Sequence, residues 1–169
     1  MFLLRRFFFS FMLIIISLDL PLNIAPKKDF NKLDIDITEA NKSDYIGHLI
    51  INKLNLNVGF YSKDNPLNNV DYGIEVLKPS IMPNNDDYIL FLASHSGDSS
   101  ISYFKNLYEL RNDDDVIINY QNKEYKYKVV NKYVIEKKGF MSIKRLPKNS
   151  LILITCIKGT NNQLVIVCK

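Results

Sequence analysis

From Tyr45 onward the chain alternates short apolar runs with clusters of Asn, Asp, Gly and Lys. That punctuation predicts many short strands separated by turns. "YIGHLIINKLNLNVGF" predicts two strands on either side of Asn52-Lys53. "DYILFLAS" (87–94) is a continuous apolar run, the pattern of a strand buried on both faces. In "SYFKNLYEL" (102–110), Phe104, Leu107 and Leu110 recur at helical spacing and predict a short helix. "VIINYQNKEYKYKVVNKYVIEKK" (116–138) alternates strictly around Gln121-Asn122-Lys123. That is a hairpin signal, with Tyr125, Tyr127 and Val129 on one side and Lys126 and Lys128 on the other. "SLILITCI" and "QLVIVCK" make the last pair, joined by Gly159-Thr160-Asn161-Asn162. The class expected is mainly β: a closed or nearly closed antiparallel barrel with one or two short helices.

The first twenty residues, "MFLLRRFFFSFMLIIISLDL", follow another rule. Arg5 and Arg6 precede an uncharged run from Phe7 to Leu18, the layout of a secretion signal. A membrane span needs about 20 apolar residues, and Met1–Leu18 approaches that only if the arginines snorkel to the interface. "SLDLPLNIAP" lacks a small-x-small cleavage site, so an uncleaved anchor is the expectation. A cleaved signal, which would leave a secreted protein, is the alternative, and a buried N-terminal helix the third reading. In the first two, Arg5 and Arg6 stay cytoplasmic and the rest is exported. Residues 21–44 read as a polar linker, and residues 45–169 as the folded domain. No second apolar segment follows, an expectation against a pilin-type enzyme anchored at its C-terminus.

Composition narrows the chemistry. A chain of 169 residues suits a single domain with a substantial core. Ten Tyr, ten Phe and many Ile and Val lean towards strands. The formal charge of +4 owes two units to Arg5 and Arg6, leaving 20 basic against 18 acidic residues in 7–169. That balance gives no nucleic-acid footprint. Two Cys and two His make a structural zinc site improbable, and no Gly-rich phosphate loop is present. No cofactor is expected. Calcium at Asp113-Asp114-Asp115 with Asp86 and Asp87 is the one metal reading, set against ordinary solvated turns.

The rare residues carry the candidate chemistry. Cys156 ends an apolar strand just before a polar turn, where a thiol reaches solvent on a rigid backbone. His95 follows "DYILFLA" within "SHSG", whose small residues leave the ring accessible. Two separate strands thus each deliver one titratable group, an arrangement that could form a Cys–His pair for acyl transfer. From these residues alone, Cys156 as core filler and His95 as a satisfied loop histidine stand beside that reading.

The order of the motifs adds to it. "IGHLIINKLNL", "LASHSG", "FKNLYEL" followed by "DDDVIINY", "YKYKVV" and "LILITC" run in the order of the sortases, exported cysteine transpeptidases. The chain resembles that family over about residues 45–167. The resemblance implies an eight-stranded barrel in which Cys156 attacks a backbone carbonyl within a Leu-Pro-x-Thr-Gly-type sorting motif. That motif lies near the C-terminus of another secreted protein. An amine on a cell-wall precursor or a pilin lysine then resolves the acyl-enzyme. His95 matches the family histidine, which protonates the departing amine. The family's arginine at the start of the last strand is here Gln163. A glutamine donates a hydrogen bond without bringing charge, so Gln163 is read as a working substitute, with a plain polar residue opening an edge strand as the other reading. Lys158 is read as a solvated turn residue, with aid to Gln163 as its alternative. A catalytically weak sortase-fold protein that only binds sorting signals is the alternative.

A turn centred between Thr160 and Asn161 would set Cys156 across from Val165, and Lys158 across from Gln163. Alternation then puts Cys156, Lys158, Gln163 and Val165 on one face. Cys168 falls opposite Leu153 on the other face, so a disulfide with Cys156 is not expected. Thr155, also present in the family motif, points away from the thiol and is assigned packing or a hydrogen bond. His48, Arg111 and Arg145 are read as surface residues.

Overall fold

A computed structural model of the protein describes residues 44–137 and 146–169. The expected anchor or signal at 1–20, residues 21–43 of the linker, and Arg145 lie outside the described residues.

Among the described residues eight strands form: β1 (Gly47–Ile51), β2 (Leu56–Phe60), β3 (Glu75–Val76), β4 (Ile89–Ala93), β5 (Asp115–Tyr120), β6 (Lys123–Glu136), β7 (Ser150–Cys156) and β8 (Asn162–Cys168). Their order in the sheet is β2-β1-β5-β6-β8-β7-β4-β3. A parallel bridge from Phe60 to Ile74 brings the two ends together, so the barrel is nearly closed. The β1–β2 and β5–β6 hairpins fall where the alternation placed them. Gln121 and Asn122 both adopt positive φ, 50° and 60°. That is the requirement of a tight two-residue hairpin turn, and Lys123 already opens β6. The helix expected over 102–110 shrinks to a 3-10 turn at Leu107–Glu109. Phe104, Leu107 and Leu110 are nonetheless all buried, as their spacing required. The two-residue β3 has no repeating signal and was not anticipated.

Besides the Phe60–Ile74 bridge, one ladder among the described strands departs from an antiparallel barrel. β4 and β7 run parallel, from Ile89 opposite Ser150 to Ala93 opposite Ile154. The long connection between them carries β5 and β6 around the barrel, so β7 enters from the same end as β4. Parallel neighbours finish at the same end. That end carries the chemistry.

The last strands are apolar at nearly every position because both faces are covered. One set of side chains, including Leu90, Leu92, Leu151, Leu153, Ile166 and Cys168, fills the barrel interior. The alternate set, Phe91, Ile152, Ile154, Val165 and Val167, makes a second apolar layer outside the wall. Leu77, Tyr133 and Ile135 pack against this outer layer.

Candidate active site

The site lies on the outer layer. Cys156 is the last residue of β7 and is partly exposed. His95 stands two residues past the registered pair Ala93–Ile154, and Cys156 does the same on the other strand. Parallel register therefore brings imidazole and thiol to equivalent places on neighbouring strands. Both line one groove of about 670 Å³, together with Gln163. Leu77, Phe91, Ile135 and Ile154 give it an apolar floor, while Glu75, Lys78, Glu136 and Lys137 line it with mixed charge.

Gln163 sits directly opposite Cys156 in the β7–β8 pair. The register differs by two residues from the expected one: Ile154, not Cys156, faces Val165, and Leu151, not Leu153, faces Cys168. The cause is the turn. Gly159 takes a left-handed φ of 76°, open to glycine without strain. The loop closes around it, with the Thr160 N–H donating to the Ile157 carbonyl and the Ile157 N–H to that of Asn162. A shift of two residues preserves alternation, so Cys156 and Gln163 share a face and Cys168 lies on the other. Because Ile157 and Asn162 are hydrogen-bonded, Cys156 and Gln163 form the closer, non-hydrogen-bonded kind of pair.

Lys158 is drawn elsewhere. Its ammonium pairs with Asp98, whose carboxyl it holds below the usual range by hydrogen bond and charge. Lys158 is exposed, as a solvated turn residue is, and is not among the groove-lining residues, so the alternative in which it aids Gln163 has no geometric basis. Lys78 and Lys137 are the lysines that do line the groove.

Contacts between the two segments hold the site together. The Thr155 hydroxyl donates to the Ser94 carbonyl at 2.8 Å in the buried wall. The residue before the thiol is thus tied to the residue before the imidazole. The Ser94 N–H donates to the Ile154 carbonyl, and the Phe104 N–H to that of His95. His95 Nε2 lies 3.0 Å from Asp71 Oδ1, a partner no sequence pattern marked. Asp71 belongs to the loop before β3, 24 residues away in the chain.

The remaining candidates are placed as follows. Cys168 is fully buried, and burial pushes its thiol up to about 12. His48 and Arg111 are exposed. Asp114 is engaged by Lys53 at 2.7 Å and by the Arg111 N–H at 2.6 Å, Asp115 by Lys128, and Asp87 by Lys148. Among the described residues no group of three or more His, Cys, Asp and Glu side chains could hold a metal ion. Nor is any helix among them long and apolar enough to cross a membrane.

Fold and site together define a nearly closed β-barrel with a thiol and an imidazole in one open groove on its wall. A family profile described as the sortase domain matches residues 49–169, and the chain belongs to the sortase family. Similar solved structures include Sortase C1 of GBS Pilus Island 1, at 22% identity and TM-score 0.64, covering 75% of this chain and 64% of that one. Sortase C-1 from Actinomyces oris matches at 20% identity and TM-score 0.65, covering 81% and 80%. A lid mutant of sortase A from Corynebacterium diphtheriae matches at 21% identity and TM-score 0.63, covering 85% and 81%. At such identities the likeness is one of fold. No curated protein matches the sequence.

Proposed function

We propose that this chain is a sortase-type cysteine transpeptidase, held at the cell membrane by its N-terminal segment with the barrel outside. Its substrate is a Leu-Pro-x-Thr-Gly-type sorting signal near the C-terminus of another secreted protein. The Cys156 sulfur attacks a backbone carbonyl of that motif, and the tetrahedral intermediate collapses by breaking the C–N bond. His95 gives a proton to the departing amine. The thioester is then attacked by an amine, on a cell-wall precursor or a pilin lysine, and the thiol is regenerated. Membership of the family supports this reading. The single observation that carries it is the parallel β4–β7 register, which puts His95 and Cys156 in the same groove.

Gln163 completes the assignment. From directly across the strand pair its amide N–H can donate to the substrate carbonyl as negative charge develops on the oxygen. It brings no positive charge, and that favours one second reading: a sortase-fold protein that binds sorting signals without turning them over. One experiment separates the two. The protein is incubated with a panel of Leu-Pro-x-Thr-Gly-like peptides and examined by mass spectrometry for a thioester on Cys156. The enzyme yields an acyl adduct absent from Cys156→Ala, and an added amine releases it. Peptide binding without any adduct selects the binding protein instead.

A further inference from the structure

We propose that Asp71 is the positioning residue for His95, and that the proton moving between Cys156 and the substrate travels through Nδ1 of the imidazole. The inference rests on the transpeptidase reading above and extends it to one atom. His95 Nε2 lies 3.0 Å from Asp71 Oδ1. A carboxylate only accepts hydrogen bonds, so the neutral ring carries its proton on Nε2 and donates it to Asp71. Nδ1 is then the basic nitrogen, and the one free to serve the groove that His95 lines.

The segment bearing Asp71 is held beside the histidine by contacts independent of that bond. The buried Ser94 hydroxyl donates to the Gly73 carbonyl at 3.0 Å. Glu75 pairs with Ala93 in the β3–β4 ladder. Within the loop, the Asp71 N–H donates to Asn69 Oδ1 at 2.9 Å, and the Tyr72 N–H to the Asn69 carbonyl at 3.0 Å. Residues 73–75 are therefore stitched along 93–94 and residues 69–72 close on themselves, so Asp71 reaches the ring from an anchored turn.

Proton balance follows. The Cys156 thiol passes its proton to Nδ1 as sulfur bonds to the carbonyl carbon. As the C–N bond breaks, the same proton leaves Nδ1 for the departing nitrogen. Asp71 stays ionised throughout: it selects the tautomer, fixes the ring plane and faces the imidazolium while it exists, the logic of an acid–histidine pair. The side chains of His95 and Asp71 are 42% and 73% exposed, so water screens the pair. Its effect is orientation more than a large electrostatic gain.

The test uses the full-length protein with labelled histidine nitrogens. His48→Gln identifies the ring signals of His95, the only other histidine. At a pH where the ring is neutral, the wild type is expected to show the proton on Nε2 and a bare Nδ1. Asp71→Ala is expected to give mixed tautomers and to lower kcat by roughly 10- to 100-fold, with KM moving less than about two-fold. Asp71→Glu should restore the tautomer and part of the rate. A ring protonated on Nδ1 in the wild type, a tautomer unaffected by Asp71→Ala, or a shifted tautomer with unchanged kcat would each overturn the proposal. Should the wild type turn over no peptide, the transpeptidase reading fails. The nitrogen spectra, which need no turnover, then decide on Asp71 by themselves.

Discussion

Two cysteines in adjacent strands show how far one side chain's chemistry depends on which way it points. Cys168 faces the interior, where burial disfavours the thiolate and raises the pKa to about 12. Cys156 ends its strand on the opposite face, at the groove. Under native conditions near neutral pH, iodoacetamide should modify one thiol per chain, at Cys156, and both only after denaturation. Native modification of Cys168, read by peptide mapping, would contradict the burial. The sign of the pH effect follows. The unfolded thiol ionises near its ordinary value of about 9, while the folded one does not until about 12. Cys168 therefore contributes stability below pH 9 that declines between about 9 and 12. Cys168→Ala should remove that part of the alkaline decline in urea unfolding. At Gln163 the expectation is kinetic. Losing one oxyanion donor costs on the order of 10²–10³ in kcat, and an uncharged donor is weaker than a charged one. Gln163→Ala should fall by roughly ten-fold or more, with Gln163→Arg at least equal to wild type. If steady-state rates for Gln163→Ala match the wild type, the residue has no part in turnover.

Strands in this protein carry two jobs at once. β7 presents Leu151 and Leu153 inward and Ile152, Ile154 and Cys156 outward, so a run that reads simply as apolar separates a core from a substrate floor. Leu153 lies between Leu92 on β4 and Ile166 on β8. Truncating it opens a cavity where both neighbours are pinned by backbone hydrogen bonds. Leu153→Ala should cost about 2–5 kcal/mol by denaturant unfolding, whereas Val134→Ala, at an exposed position of β6, should be near neutral. Equal losses at the two sites would refute the layer assignment. Element boundaries were legible to within a few residues wherever alternation or a turn signal was strong, as at Gln121-Asn122. The helix over 102–110 was overestimated because three apolar residues at helical spacing also satisfy a 3-10 turn against the core.

Across the whole barrel, the site depends on contacts between segments about sixty residues apart. The Thr155 hydroxyl and the Ser94 carbonyl are separated by 61 positions, yet their bond ties together the residues that precede the two reactive groups. Thr155→Val keeps the shape and leaves that carbonyl without its side-chain donor, a loss of about 1–3 kcal/mol. It should lower kcat along with stability, and Thr155→Ser should recover both. Unchanged kcat in the valine variant, at a temperature where it is fully folded, would remove Thr155 from the positioning of the site. The Lys158–Asp98 pair joins the same two loops, but both partners are exposed, and such pairs contribute little.

The resemblance to the sortases marked Gln163, while the residues themselves determined the class of fold, the strand pairs joined by short turns, the segregation of the two cysteines, and the strand-end placement of Cys156 and His95. Those properties follow from local patterning, where period and turn chemistry act over a few residues. Tertiary structure decided the rest. The parallel β4–β7 pairing, the exact partner of Cys156 across β8, and the approach of Asp71 to His95 depend on the path of long connections. The left-handed φ at Gly159 moved the last register by two residues. Neither apolar alternation nor composition encodes which strand a chain meets after dozens of residues. That is settled by closing the barrel around its interior, and the groove where the chemistry sits exists only once it has closed.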